Sequence, residues 1–219
     1  MPGLQIERTA LIELLQQGID RLGIAVSRDA QMKLIDYLSL LVKWNRVYNL
    51  TAIRDPRQMV VQHLLDSLAV IPHINGERWL DVGSGAGLPG MVLAVARPDW
   101  HVTLLDSNSK KTGFLQQAVI ELGLGNVQVQ CARVEEFHAP DRYDRIISRA
   151  FTELGDFLRI TRHLIAAQGR WVAMKGLPEQ ELRWVPDDCL VEKIITLDVP
   201  ELAAARSLVI VKTREEMAA

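Results

Sequence analysis

The chain has 219 residues, 48% of them hydrophobic and 24% charged, which is the make-up of an ordinary globular protein with ample material for a core. Its length suits one large domain, or one domain with a small accessory unit. With 25 basic side chains against 27 acidic ones, the net charge of −2 excludes a strongly basic nucleic-acid coat protein but leaves room for a local basic patch.

Residues 1–75 read as a helical unit that caps the rest of the chain. Glu7, Arg8 and Glu13 stand where an export signal would keep its apolar run. Leu11, Leu15 and Leu22, then Leu34, Ile35, Leu38, Leu41 and Val42, recur at the spacing of helices with one buried face. Ser27 is the expected cap of the second helix, with Asp29 in its first turn. A third helix is expected from the cap Asp55 and the first-turn Pro56 to Ile71, where Pro72 forbids simple continuation. Lys43, Arg46, Arg54 and Arg57, close to Trp44 and Tyr48, form the densest basic cluster, of the kind that contacts RNA.

Residues 76–219 alternate between strands and helices. Strands are expected at 78–83, 101–106, 127–131, 143–149, 170–175, 191–199 and 207–212, with helices such as 109–122 and 152–166 between them. This alternation implies an α/β fold with a mostly parallel seven-stranded sheet. The last two strands are joined too briefly to be parallel, so the sheet should end in an antiparallel element. The longest uncharged stretch, Val82 to Ala96, is too short to span a membrane. Cys131 and Cys189 show no metal-like spacing and read as buried structural thiols, so a reduced cytoplasmic setting without a metal centre is expected.

The segment Asp81-Val82-Gly83-Ser84-Gly85-Ala86-Gly87-Leu88-Pro89-Gly90 is a strand end, a glycine turn and a helix start. In an open parallel sheet this first turn is where ligands bind. Gly85, Gly87 and Gly90 match the dinucleotide fingerprint, with Asp106 ending the next strand as a ribose-binding acid would. The alternative, with Asp81, Gly83, Gly85 and Gly87 as the motif of class I methyltransferases, is preferred. Asp81 would sit badly beside a pyrophosphate, and the sheet leaves no separate domain for a hydride acceptor.

Further motifs accompany this turn in order: Lys43-Trp44-Asn45 with Tyr48-Asn49-Leu50-Thr51, Arg54-Asp55-Pro56, His63 with Asp66-Ser67, Ser148-Arg149-Ala150-Phe151, and Lys175-Gly176. Together they closely resemble the bacterial glucose-inhibited division protein B (RsmG) family, from about residue 28 to the C-terminus. That resemblance implies a Rossmann-like class I fold, S-adenosylmethionine as methyl donor, and methylation of guanine N7 in 16S rRNA, free or in a small-subunit precursor. It also implies a cofactor site of Asp81, Gly83, Gly85, Leu88, Asp106, Val134, Glu135 and Arg149. A monomer that does not engage membranes is expected. The rivals are methylation of another substrate and a non-catalytic factor that senses S-adenosylmethionine.

The fourth strand's end, where such enzymes keep their reaction-specific residues, lacks the Asn/Asp-Pro-Pro-aromatic motif of amine methylation. Neither cysteine stands in the context of a pyrimidine nucleophile. Lys175 resembles one member of a ribose-methylating set, but Arg149 stands near where that set has Asp. Guanine N7 carries no proton and needs no base, so alignment would dominate catalysis. Arg149, Phe151 and Lys175 are the candidates to act there, Phe151 as a stacking partner for an unstacked base. Arg159, Arg162 and His163 are expected to share a helix face that extends the basic surface. Asn45, Asn49, His63, Asp66 and Ser67 read as a polar network bracing the helical unit.

Overall fold

The computed structural model describes residues 2–214, with side chains from residue 8 onward. Helices α1 (Pro2–Leu22) and α2 (Arg28–Tyr48) come first, and the Ser27 side chain accepts the Ala30 N–H to cap α2 as expected. The third helix begins at the expected cap, with Asp55 accepting the Arg57 N–H, but it is not uniform. It runs as α3 (Pro56–Met59), a π-helical turn over Val60–Leu65, and α4 (Asp66–Leu68), ahead of a short 3-10 turn at Ile71–His73. It therefore stops short of the expected Ile71, because Pro72 falls inside that tighter turn.

The remainder is a seven-stranded sheet ordered β3-β2-β1-β4-β5-β7-β6. Strands β1 (Arg78–Val82), β2 (His101–Asp106), β3 (Val127–Cys131), β4 (Tyr143–Arg149) and β5 (Ile165–Lys175) are parallel. β7 (Ser207–Thr213) slots antiparallel between β5 and the edge strand β6 (Cys189–Thr196). The antiparallel end of the sheet is thus present, and the strand that reverses direction lies one in from the edge.

Helices α5 (Gly90–Ala96), α6 (Ser109–Leu122) and α7 (Leu154–Ile160) cover the sheet. One face packs on a hydrophobic cluster that runs from Leu11 and Leu15 of α1 through Met91 and Phe114 to Ile210 of β7. The other face packs on α7 through Phe157, Leu158 and Trp171.

Other expected boundaries move. The helix expected over 152–166 ends at Ile160, where the Thr161 hydroxyl donates back to the Phe157 carbonyl and accepts the Trp171 indole N–H. Ile165 is then free to pair with Tyr143, so β5 starts five residues before the expected Arg170. β6 runs Cys189–Thr196 instead of 191–199, because the Leu197 N–H donates to the Arg206 carbonyl and closes the hairpin.

Candidate active site

The glycine turn leaves the C-terminal end of β1 in the middle of the sheet. Gly83 and Ser84 donate their N–H groups to the Leu105 carbonyl at 2.9 and 3.1 Å, lashing the turn to β2. Asp106, at the end of β2, accepts the Gly85 N–H on one oxygen and the Asn108 N–H on the other, both at 2.9 Å. Asn108 in turn caps α6. From the helical unit, the buried Tyr37 hydroxyl donates to the Ala86 carbonyl, and burial pushes this phenol's pKa up. Asp81 accepts the Gly90 N–H at 2.8 Å on Oδ2, while its buried Oδ1 has no hydrogen-bond partner. Burial raises this carboxyl to about 7.

A cavity of about 320 Å³ opens beside the turn, walled by Gly83, Asp106, Val134, Glu135, Ala150 and Phe151 among others. Gly83 has φ +67°, and a Cβ there would run into the Phe151 ring, so glycine is required twice over. Four of the expected cofactor residues thus line this cavity. Asp81 and Gly85 instead hold the turn from behind, and Leu88 is buried in the core.

Arg149, the remaining member of that set, faces a second cavity of about 520 Å³. Asp66 is buried there between two guanidiniums. Arg149 Nη1 donates to its Oδ2 and Arg206 Nε to its Oδ1, both at 2.9 Å. Arg149 Nη1 also reaches the Gln62 carbonyl at 2.8 Å. This clamp joins α4 to the end of β4 and to the start of β7. Lys175 is held by the Thr152 carbonyl and by Glu181, both at 2.7 Å. His63, on the π-turn, meets the Thr51 hydroxyl at 2.9 Å. Burial first, and Arg149 second, lower its pKa to about 4, so its ring is neutral near pH 7. The two cavities share Ala150, a non-glycine residue at φ +53°. Strained backbone of that kind concentrates where ligands are held.

The structure brings Arg149 and Lys175 together and sets Phe151 apart on the first cavity. The expected bracing network exists: Asn45 exchanges hydrogen bonds with Thr51, and Ser67 donates to the His63 carbonyl. Lys43, Arg46, Arg54 and Arg57 are exposed, and Arg54 is tied down on the Asn45 carbonyl and the Asn49 side chain. Arg159, Arg162 and His163 do not share a helix face, because α7 ends before the last two, and Asp156 and Asp188 pair the arginines. Cys189 is buried, but Cys131 is exposed, because β3 ends there at the open rim of the sheet. Sequence reasoning missed Tyr37, Arg206 and Glu181. Tyr37 sits among the apolar residues of α2, and the other two come from loops far from any motif.

The topology and the paired cavities define a class I methyltransferase fold. Solved structures agree on that fold: MtfA, a glycopeptide N-methyltransferase complexed with S-adenosylmethionine, aligns with TM-score 0.60 at 9% identity, over 69% of this chain and 87% of its own. TrmN from Thermus thermophilus gives 0.55 at 19%, over 68% and 48%. The family model described as rRNA small subunit methyltransferase G matches residues 30–209. Proteins named ribosomal RNA small subunit methyltransferase G are 52% identical in Laribacter hongkongensis, over 91% of this chain and 97% of that one, and 53% identical in Neisseria meningitidis serogroup B, over 92% and 98%. The chain belongs to the rRNA small subunit methyltransferase G family.

Proposed function

We propose that the protein transfers the methyl group of S-adenosylmethionine to N7 of a guanine in 16S rRNA. The observation that carries this reading is the meeting of two cavities at Ala150, one built on the glycine turn and the other lined by basic and polar groups. S-adenosylmethionine suits the first: Gly83 keeps the main chain open, Asp106 offers its carboxylate to a ribose diol, and Val134 and Glu135 flank the adenine. When bound, it supplies an electrophilic methyl group carried on a sulfonium.

The second cavity receives the base. N7 presents an in-plane lone pair with no proton to remove, so the chain needs no general base beside it. The neighbouring carboxylates are not placed to act as one. Asp66 is occupied by two arginines, Asp81 is walled off behind the turn, and Glu181 holds Lys175. Methyl transfer moves one positive charge from sulfur to the base, so the net charge of the site is unchanged. The rigid Asp66 clamp and the neutral His63 then contribute by alignment and by excluding water.

Residues 1–75 act as a cap that pins the turn through Tyr37 and presents Lys43, Arg46 and Arg57 to the RNA backbone. On this reading the enzyme works in the cytoplasm as a monomer. The test is to incubate it with methyl-labelled S-adenosylmethionine and small-subunit RNA, naked and assembled, from cells lacking the enzyme. Label is expected at one guanine N7; label at another atom, or none on either substrate, sinks the proposal.

A further inference from the structure

A third recess, of about 370 Å³, lies at the opposite end of the same strands from the second cavity. It is walled by Arg145 of β4, Arg170 of β5, Glu192 and Lys193 of β6, and the linker after the Ile71–His73 turn. Its charge is unbalanced. Glu192 is consumed by Arg170, which donates to it at 2.8 and 3.3 Å. Asp144, next to Arg145, turns its carboxylate to the Glu77 and Arg78 N–H groups. Among the described residues, Arg145 donates to neutral oxygens, the Asn75 side chain at 2.6 Å and the Asp144 carbonyl at 2.7 Å. Lys193 is exposed and has no hydrogen bond or ion pair among the described residues. Burial and then Arg170 lower the Arg145 pKa against the opposing pull of the Asp144 and Glu192 carboxylates, and burial and then Lys193 lower that of His73, so positive charge outweighs negative around the recess.

Arg145, held rigid, and the free ammonium of Lys193 supply the donors of a phosphate site, while Arg170, committed to Glu192 and to the Gln168 and Gly169 carbonyls, keeps the neighbouring carboxylate neutralised. The position says which phosphate. Arg145 and Arg149 are four residues apart on one face of β4, so the recess lies roughly 13 Å along the strand from the base-receiving cavity. The segment from Pro56 onward borders both: Gln62, His63 and Asp66 line the cavity, and Pro72 to Asn75 line the recess.

We propose that this recess binds a phosphate group of the RNA chain near the target base, a second backbone contact on the same sheet face as the active site. The inference rests on the RNA reading above. A free phosphate or a mononucleotide would satisfy the same donors, and the experiment separates these sources.

Binding of small-subunit rRNA to the full-length protein is measured across a potassium chloride series for wild type, Lys193→Gln and the control Lys33→Gln. Removing one phosphate contact should weaken RNA binding about 3- to 10-fold and lower the salt slope by about one, while S-adenosylmethionine affinity and the control stay unchanged. Arg145→Gln should act in the same direction, with its folding checked by circular dichroism. Inorganic phosphate and guanosine monophosphate are titrated in parallel. Tight binding of either, lost in Lys193→Gln while the RNA salt slope is unaltered, would assign the recess to a small phosphate ligand and overturn the RNA contact. An unaltered slope with no phosphate binding overturns the site altogether. Methyl transfer by wild type, read separately, shows whether the RNA reading itself stands.

Discussion

The smallest unit that decides function here is the hydrogen bond from Tyr37 to Ala86, because it ties a helix from the start of the chain to the ligand-binding turn. Tyr37→Phe leaves a buried carbonyl without its partner, which costs about 1–2 kcal/mol. Urea unfolding should report that loss. S-adenosylmethionine affinity, measured calorimetrically, should fall while kcat at saturation changes less, because the phenol holds the turn and touches no reacting atom. Gly83 makes the complementary case. Gly83→Ala forces a Cβ into the Phe151 ring and into a positive φ. It should reduce S-adenosylmethionine affinity at least about 10-fold, an order-of-magnitude figure for a wrongly placed turn. Adding Phe151→Leu should restore part of it, since the steric clash is relieved and the backbone strain is not. A complete rescue would mean that the ring alone demands glycine.

At the scale of elements, the interrupted helix from Pro56 to Leu68 joins the N-terminal helices to the sheet. Its π-turn carries His63, and the residue directly after the turn is Asp66, which faces Arg149 and Arg206. Asp66→Ala would leave two guanidiniums without their shared carboxylate. Breaking a buried pair of this kind costs about 3–5 kcal/mol, and the partial exposure of both arginines brings the expectation down to about 2–3 kcal/mol. Asp66→Asn should lie between, and the urea midpoints of the three proteins order them. The start of this helix was legible in Asp55 and Pro56, because capping is a local match between one side chain and a nearby N–H. Its π-turn was not. The turn packs against α1, and nothing in the local residues signals its register. The same contrast holds for α7, where the apolar pattern ran on past Ile160 while pairing with Tyr143 drew Ile165 into β5.

Over the whole molecule, two buried groups set opposing responses to pH. His63 titrates at about 4 when folded against an ordinary 6.5, so its contribution is complete above 6.5 and is lost as the pH falls towards 4. Asp81 titrates at about 7 against 3.8, so the folded chain holds a proton that the unfolded chain has released, and stability is lost as the pH rises from 3.8 to 7. Between about 4 and 6.5 the two slopes oppose each other, and wild-type stability should be nearly level there. Asp81→Asn removes one side of this balance. Its Tm should climb with pH across that window, and at pH 8 its stability should exceed that of wild type by on the order of 2 kcal/mol. Calorimetry from pH 4 to 8 checks this, and a level profile in the variant would refute the assignment.

What the sequence determined by itself is whatever depends on neighbours along the chain: the helix caps at Ser27 and Asp55, the alternation that implies a parallel sheet, the glycine turn, and the acid at the end of the next strand. Those signals suffice for the fold and for the Gly83 and Asp106 sides of the first cavity, since a turn and the strand beside it are built from short segments. The second cavity was decided only in three dimensions. Arg149 and Arg206 are separated by 83 and 140 positions from Asp66, the carboxylate that gathers them, and no periodicity connects the three. The overall charge of −2 shows the same division. Summed along the chain it looks indifferent to RNA, whereas folding gathers Arg145, Arg170 and Lys193 around one recess and commits the Glu192 carboxylate beside them to Arg170. Charge is additive in sequence, but its effect depends on distance, and distance is set only by the tertiary structure.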